Sequence, residues 1–269
     1  MRVCFALIFL SLHILQPVTA EMNQDRRRTI EFSGFLWSVK ECSVPLGPGP
    51  NYFSASSRNV RLGSGGELHL NIVERRGRWY CSEVICEEPL GYGTYIFSVK
   101  GDINQLDPQA VLGIFTWDTT PVLANREIDI EFSRRGDPSR RENGQYVLQP
   151  FDEEKIHRFE FDLDTGYSTH VLKWTPDALD FFSYAGYITP DQFLAQENRG
   201  QALADTATAD TVTLLASWKY SKAEDIPDPG DARVRINYYL YQGTSPFTGT
   251  PTGIIIERFL FIPERQNEH

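Results

Sequence analysis

The stretch GTYIFSVKGDINQLDPQAVLGIFTWDTTPVLANREIDIEFS, residues 93–133, decides the fold. It contains three runs, GTYIFSVK (93–100), VLGIFTW (111–117) and EIDIEFS (127–133), that are rich in β-branched and aromatic residues. The segments between these runs hold the Gly, Pro, Asp and Asn residues that favour turns. The stretch therefore predicts three consecutive strands.

Runs of the same kind recur along the rest of the chain, from ELHLNIV at 67–73 to IIIERFLFI at 254–262. Many short strands with few helices predict an all-β fold, a jelly roll or sandwich of two antiparallel sheets. No composition shift marks a domain boundary. We therefore expect one domain over residues 21–269, with its core at about 30–263.

One segment, 189–204, favours a helix. Thr189 is the expected N-cap, Pro190 lies in the first turn, and Gly200 interrupts the pattern.

The first twenty residues have the pattern of an export signal. Arg2 is followed by an apolar run, and the small residues Val18 and Ala20 suit a cleavage site. The run is too short to span a bilayer. We expect a secreted or periplasmic protein without a membrane anchor after residues 1–20 are removed; an uncleaved anchor is the alternative.

Charge and composition limit the partners. The formal net charge of -10 argues against nucleic acid, because binding that polymer requires clustered Lys and Arg. Neutral ligands are favoured instead. Aromatic residues make up 13% of the chain, which suits stacking on sugars, although β-sheet cores also use many aromatic residues.

Three cysteines, Cys42, Cys81 and Cys86, follow the predicted signal. In an oxidising compartment, one bridge and one free thiol is the simplest outcome. Cys81 and Cys86 would point to opposite faces of a regular strand, so Cys42 with either of them is the expected pair. The spacing does not suit zinc, since CxxC is absent and no histidine is near.

Three acids alternate along the run REIDIEF. In a strand, Glu127, Asp129 and Glu131 share one face, and Ile128 and Ile130 share the other. Neighbouring like charges raise a carboxyl pKa, so one acid can stay protonated near neutral pH while another is ionised. The alternative is a half-buried strand with a solvated acidic face.

REIDIEF resembles the active-site strand of glycoside hydrolase family 16, the laminarinase and lichenase family, in its unbulged Glu-x-Asp-x-Glu form. The order of the flanking elements is also similar over residues 35–263: YCSEVICEEPLGYGTYIFSVK, HVLKWTPDALDFFSYAG, RINYYLYQG and IIIERFLFIP. The resemblance implies a jelly roll of two curved antiparallel sheets, with a glycan cleft on the concave face. It implies Glu127 as nucleophile, Glu131 as general acid and base, and Asp129 as assisting carboxylate.

Paired carboxylates support the same roles on chemical grounds. Residues i and i+4 of a flat strand lie about 13 Å apart at Cα, whereas retaining glycosidases hold their carboxyls about 5–5.5 Å apart. The sheet must therefore be concave.

The resemblance implies further substrate contacts. These are Tyr52, Glu83, Trp117, Gln145, Gln149, Asn237 and Tyr239. For each aromatic residue, core packing is the alternative. Ile85 and Asn125 replace an Arg and a Trp of lichenases, so the substrate cannot be transferred from one member. The lichenase disulfide would join Cys81 to a position near Phe53, which leaves Cys42 as a displaced candidate.

The leading interpretation is a retaining, endo-acting hydrolase of a β-linked polysaccharide. β-1,3- or mixed β-1,3/1,4-glucan is the favoured substrate, and other β-linked polymers such as galactans are the second choice. A transglycosylase or a catalytically silent glycan-binding protein are the alternatives; silent relatives commonly replace one acid of the trio. No GxSxG motif supports another nucleophile. We expect a monomer without a cofactor. The resemblance allows a structural calcium ion, but the sequence contains no evident calcium-binding loop.

Overall fold

The computed structural model describes residues 27–199 and 212–264. Sixteen strands are formed within these ranges. They are β1 Thr29–Phe32, β2 Phe35–Val39, β3 Val60–Leu62, β4 Leu68–Arg75, β5 Arg78–Tyr80, β6 Ser82–Pro89, β7 Gly93–Lys100, β8 Ala110–Trp117, β9 Ile128–Phe132, β10 Gly144–Leu148, β11 Ile156–Phe159, β12 Tyr167–Trp174, β13 Leu179–Ala185, β14 Thr213–Tyr220, β15 Arg233–Leu240 and β16 Thr252–Pro263. One α-helix, α1, spans Pro190–Arg199.

The strands form two antiparallel sheets. The first, here called the cleft sheet, has the order β1-β2-β6-β15-β8-β9-β10-β11. The second, the back sheet, has the order β14-β13-β12-β7-β16-β4-β3, with β5 paired to β4. The chain crosses repeatedly between the two sheets, as in a jelly roll, so the all-β prediction is confirmed.

Alternation along each strand decides which face is buried. In β9, Ile128, Ile130 and Phe132 lie in the core between the sheets, each at most 1% exposed. The acids between them therefore project from the opposite face of the cleft sheet. Aromatic pairs fasten the two sheets together, such as Trp37 of β2 against Phe259 of β16 at 5.5 Å between ring centroids.

A buried polar network also joins the sheets. His170 of β12 contacts Ser168 and Ser183 through its two ring nitrogens, each at 2.9 Å. The Tyr146 hydroxyl of β10 donates to the Ser183 hydroxyl at 2.7 Å. The Phe132 ring lies 4.4 Å from the imidazole. The histidine is thus enclosed by neutral partners, and burial lowers its pKa to about 3.

Helix α1 begins where the sequence predicts. Thr189 accepts a hydrogen bond from the Gln192 amide at 3.2 Å, and the Gln192 side chain accepts one from the Thr189 amide at 2.8 Å. This reciprocal pair is a capping box. The predicted helical residues 200–204 lie outside the described residues.

The expected disulfide is wrong, because Cys42, Cys81 and Cys86 are all free thiols. Cys81 precedes β6 and donates to the Asn51 side chain at 3.3 Å, while Cys42 accepts from the Phe53 amide at 3.0 Å. Each of these two sulfurs therefore has its own partner. The resemblance places the second cysteine of the lichenase disulfide near Phe53. Phe53 and Cys81 do lie side by side here, in an isolated parallel β-bridge.

The predicted signal over residues 1–20 lies outside the described residues. Within 27–199 and 212–264, no helix has the length and apolar character needed to cross a membrane.

His170 makes the stability of the fold depend on pH. An unfolded histidine gains a proton near pH 6.5, whereas the folded one resists protonation until about pH 3. The free energy of unfolding is therefore highest above pH 6.5, and it decreases by roughly 3–5 kcal/mol as pH falls from 6.5 to 3. We expect His170→Gln to remove this part of the acid sensitivity in denaturant titrations at pH 3.5–8. The half-buried His69 supplies the control, His69→Gln, and identical pH slopes for wild type and His170→Gln would contradict the account.

Candidate active site

The three acids of REIDIEF lie in one cavity of about 440 Å³ on the outer face of the cleft sheet. Four neighbouring strands and the segment around Pro48 form its walls. The lining residues are Lys40, Leu46, Gly47, Pro48, Glu83, Gly113, Phe115, Trp117, Glu127, Asp129, Glu131, Arg235, Asn237 and Tyr239. The structure therefore brings together the trio and four predicted substrate contacts: Glu83, Trp117, Asn237 and Tyr239.

Strand pairing explains the space in front of the acids. Gly113 of β8 lies between Glu131 and Asn237 across two antiparallel pairings. A Cβ atom on residue 113 would come within 2.5 Å of the Asn237 side-chain oxygen. The glycine therefore leaves room for Asn237 to reach into the cavity.

Each acid has hydrogen-bonding partners. Asp129 in its protonated form donates a hydrogen bond to Glu127, and the Gln149 amide nitrogen donates one to Asp129 Oδ2 at 3.3 Å. Glu131 accepts from the Gln145 side chain and, at 3.3 Å, from the Tyr239 hydroxyl. Gln145 and Gln149 thus contact the acids from β10 and the residue that follows it.

Crowding and burial raise the pKa values of the inner acids. Burial, followed by the charge of Glu131, raises the pKa of Glu127 to about 7. Burial and the charges of both glutamates raise the pKa of Asp129 well above its usual range. Because Asp129 is the more deeply buried, it is the better place for the shared proton, which it donates to an ionised Glu127.

Arg235 is a site residue that the sequence pattern did not indicate. Its guanidinium lies 3.2 Å from Glu83 and 4.2 Å above the Trp117 ring, and its charge opposes the rise in the Glu127 pKa. It pairs across the sheet with Ile85, where lichenases have an arginine. In this chain, a positive charge beside position 85 therefore comes from Arg235 on the neighbouring strand β15.

Two more cations contact site residues and were not predicted. Lys40 lies 2.7 Å from the fully buried Glu83, which therefore bridges Lys40 and Arg235. Arg135 contacts Gln145, and through it Glu131. Alternation in RINYYLY could have indicated Arg235, which shares a face with Asn237 and Tyr239, but nothing local in the sequence points to Lys40 or Arg135.

Three predicted contacts do not line the cavity: Gln145 and Gln149, which hydrogen-bond to the acids, and Tyr52. The Tyr52 ring lies 6.0 Å from Tyr80 and 4.3 Å from the Arg78 guanidinium. The turn after Pro48 carries it away from the lining residues. Its predicted role as a wall of this site is therefore replaced by packing in a separate aromatic cluster.

The segment before Glu127 has unusual backbone geometry. Ala124, Asn125 and Arg126 all adopt left-handed conformations, with φ of 48°, 56° and 50°. Arg126 holds this segment through ion pairs with Asp118 and Asp228, the latter at 3.0 Å. Such backbone costs roughly 1–2 kcal/mol for each residue that is not glycine. Contacts of Arg126 thus fix the position from which Glu127 enters the site.

The described residues offer no cluster of donors for a metal ion. Within 27–199 and 212–264, no group of three or more His, Cys, Asp or Glu side chains is arranged to hold one.

Comparison with known proteins supports the fold. No family model matches the sequence, and no curated protein matches it. A Bacillus licheniformis β-glucanase superimposes with a TM-score of 0.56 at 19% identity, covering 85% of this chain and 92% of that chain. The chain has the jelly-roll fold of a β-glucanase. This agrees with the sequence resemblance to glycoside hydrolase family 16.

Two further structures share this β-glucanase fold. A prokaryotic β-1,3-1,4-glucanase (lichenase) from a mouse hindgut metagenome has a TM-score of 0.55 at 16% identity, covering 85% of this chain and 93% of that one. Rv0315 of Mycobacterium tuberculosis, described as an immunostimulatory antigen and pseudo β-1,3-glucanase, has a TM-score of 0.57 at 18% identity, with coverages of 85% and 91%.

The clustered acids make the fold less stable at high pH. A folded-state pKa of about 7 for Glu127 means that stability is lost as pH rises from its ordinary value of 4.5 through 7. We expect Glu127→Gln to stabilise the protein by roughly 1–3 kcal/mol above pH 7 and to have little effect near pH 4. Thermal and denaturant unfolding at pH 4–9 measures this difference. The exposed Glu31→Gln is the matched control; equal stability of wild type and Glu127→Gln at pH 8 would refute the assignment.

Proposed function

We propose that this chain is a retaining glycoside hydrolase that cleaves a β-linked polysaccharide internally. β-1,3- or mixed β-1,3/1,4-glucan is the favoured backbone. The observation that carries the proposal is the placement of Glu127, Asp129 and Glu131 in one open cavity, with a hydrogen bond between Asp129 and Glu127. A solvated acidic face would instead leave these side chains apart and exposed; Asp129 is 6% exposed.

Each acid has a defined step in this proposal. Glu127, whose ionised form is favoured by the hydrogen bond from Asp129 and by the Arg235 charge, attacks the anomeric carbon and forms a glycosyl ester. Glu131, which must be protonated for this step, gives its proton to the glycosidic oxygen as the bond between that oxygen and the anomeric carbon breaks. In the second step Glu131 removes a proton from water, the hydroxide oxygen bonds to the anomeric carbon, and Glu127 leaves as carboxylate. The product keeps the β configuration.

The walls of the cavity suit a sugar polymer. Phe115, Trp117 and Tyr239 provide aromatic surface, and Asn237 has a buried side-chain oxygen with no hydrogen-bond partner among the described residues. Arg235 covers one face of Trp117, so a sugar ring would use the other face or its edge. The free oxygen of Asn237 can accept a hydrogen bond from a sugar hydroxyl.

Two alternatives use the same site. A transglycosylase differs in letting a sugar acceptor replace water, and a silent glycan-binding protein binds without cutting. One neighbour of this fold is described as a pseudo β-1,3-glucanase, so the fold alone does not establish cleavage. All three acids are present here, which favours the hydrolase. Incubation with a panel of β-glucans, followed by linkage analysis of the products, separates the three functions.

Export after removal of residues 1–20 and a monomeric state complete the proposal. Both are predictions from the sequence.

The double-displacement mechanism predicts chemical rescue. Glu131→Ala should lose roughly 10²- to 10⁴-fold activity on glucans with poor leaving groups, because protonation of the departing oxygen is lost. Azide should restore part of the activity on an activated aryl β-glucoside and give a β-glucosyl azide, since it attacks the intermediate without base assistance.

Glu127→Gln is the control for this experiment. It keeps the shape of the side chain but cannot form the ester, so it should neither hydrolyse glucan nor give a β-azide. Glucan hydrolysis by Glu127→Gln, or α-configured sugar as the first product of the wild type, would refute the mechanism. NMR of fresh products reads the configuration.

Arg235 should set the pH at which the nucleophile becomes active. Since Glu127 must be ionised, kcat/KM should fall as pH drops through about 7. Arg235→Met removes the nearby charge and should move this limb upward by up to ~1 pH unit, whereas Arg235→Lys should largely retain it. Lys40→Met, which removes the other cation at Glu83, is the control. If kcat/KM instead decreased as pH rose through about 7, Glu127 would have to act in its protonated form, as the general acid.

A further inference from the structure

The hairpin between β4 and β5 carries a basic surface outside the candidate active site. Its sequence, RRGR at 75–78, places Arg75, Arg76 and Arg78 at one turn, and Arg58 joins them from the segment before β3. These four side chains, with Tyr80, line an open depression of about 880 Å³. We call the four arginines with Tyr52 and Tyr80 the arginine surface.

Two of the arginines are held by aromatic rings. The Arg75 guanidinium lies 4.0 Å from the centre of the Tyr80 ring, and that of Arg78 lies 4.3 Å from the centre of the Tyr52 ring. The two rings are 6.0 Å apart, so they form a ladder of Arg, Tyr, Tyr and Arg. Stacking uses the flat face of a guanidinium and leaves the N–H groups at its edge for polar partners. Arg75 gives one of them to the Ser54 hydroxyl at 2.8 Å, so the exposed Arg58, Arg76 and Arg78 offer the freer edges to an anion.

The positive charge of this surface is not neutralised by the protein. Within the described ranges, none of its four arginines forms an ion pair. Glu74, the acid that lines the same depression, accepts a hydrogen bond from the Gly77 amide in the turn. In a chain of net charge -10, four unpaired cations on one surface create a local potential that attracts anions.

The surroundings distinguish between kinds of anionic partner. A membrane surface requires exposed apolar side chains beside the basic ones. None of the large hydrophobic residues exposed in the described ranges belongs to this hairpin. Single-stranded nucleic acid requires open ring faces for its bases, whereas Tyr52 and Tyr80 each have an arginine on one face and lie next to one another. Sulfate or carboxylate groups on a glycan need only the guanidinium edges.

One loop connects this surface with the catalytic cavity. Gly47 and Pro48 line the cavity, and Tyr52, four residues after Pro48, belongs to the ladder. Four peptide steps span at most about 15 Å between Cα atoms. The Tyr52 end of the arginine surface is therefore within about 15 Å of Pro48 at the cavity wall, a distance that a few sugar rings would span.

We infer that the arginine surface binds sulfate or carboxylate groups of the same polysaccharide whose backbone occupies the cavity. The substrate class is then an anionic β-linked polysaccharide, held at two places. This inference rests on the proposed function for the identity of the polymer, but the binding of anionic sugars can be measured without turnover.

Binding is tested with the full chain carrying Glu127→Gln, so that no substrate is consumed. The probes are a β-1,3-glucan, the same glucan after chemical sulfation, and its carboxymethyl derivative, compared by calorimetry at 50 and 300 mM NaCl. We expect both anionic glucans to bind at least roughly tenfold more tightly than the neutral one at low salt, and less tightly at high salt.

Adding Arg76→Gln and Arg78→Gln should remove most of this preference without changing the affinity for neutral glucan. Arg58→Gln with Arg76→Gln is a second variant that leaves the ladder intact and should reduce the preference in the same direction. Arg141→Gln with Lys219→Gln changes the net charge equally at exposed sites elsewhere and should retain the preference.

Three results would overturn the inference: equal affinity for neutral and anionic glucans, an equal loss in the control variant, or tighter binding to anionic lipid vesicles or single-stranded DNA. A preference for only one derivative identifies the bound group as sulfate or carboxylate. Hydrolysis by the wild type is measured separately. If anionic glucans bind through the arginines but no polymer is cut, the proposed function fails and this inference stands. If a glucan is cut but the binding preference is absent, the inference fails and the proposed function stands.

Discussion

Repulsion between three carboxyl groups on one face of one strand is the constraint on which the site depends. At this spacing each charge among Glu127, Asp129 and Glu131 disfavours the others, and burial with these charges raises the pKa of Asp129 most clearly, so Asp129 is the acid that holds its proton best. That proton gives Asp129 a donor role and leaves Glu127 as the anion. The apolar side chains on the other face of β9 hold the strand against the back sheet despite this repulsion. The sandwich therefore supports an arrangement of charges that the strand alone would not hold.

The parts of the structure that follow from local pattern could be predicted from the sequence. Alternation indicated which face of β9 carries the acids, and Thr189 with Pro190 indicated where α1 begins. Contacts between distant segments could not be predicted in this way. Arg235 lies 108 residues after Glu127, and its role depends on β15 lying beside β8 and β6. Tyr52 was assigned to the cavity because the turn that moves it away gives no distinct signal. The predicted disulfide was wrong because the number of cysteines in a sequence does not show how far apart their sulfur atoms lie in the fold.

Net charge proved a poor guide to individual surfaces. A balance of -10 argued for neutral ligands, yet four arginines without ion pairs in the described ranges lie together at the β4–β5 hairpin. Total charge governs long-range attraction, whereas contact depends on the charges within about 10 Å. The acids that outnumber the bases are spread over many surfaces and do not compensate this one. Fold comparison has the same limit, because proteins of this fold at 16–19% identity differ in side chains even where their sheets superimpose.

The left-handed segment at residues 124–126 gives the site a local stability of its own. The Arg126 ion pairs, together with hydrogen bonds from Asp118 and Thr116 to the carbonyls of Asn125 and Arg126, keep this unfavourable backbone in place, and Glu127 follows it directly. The pair with Asp118 is largely buried and is therefore screened little by salt, whereas Asp228 is exposed and its pair is screened more. Loss of these contacts would let Glu127 shift while the packing between the sheets stayed intact. The entrance to β9 can therefore open locally, as a unit separate from the melting of the sheets.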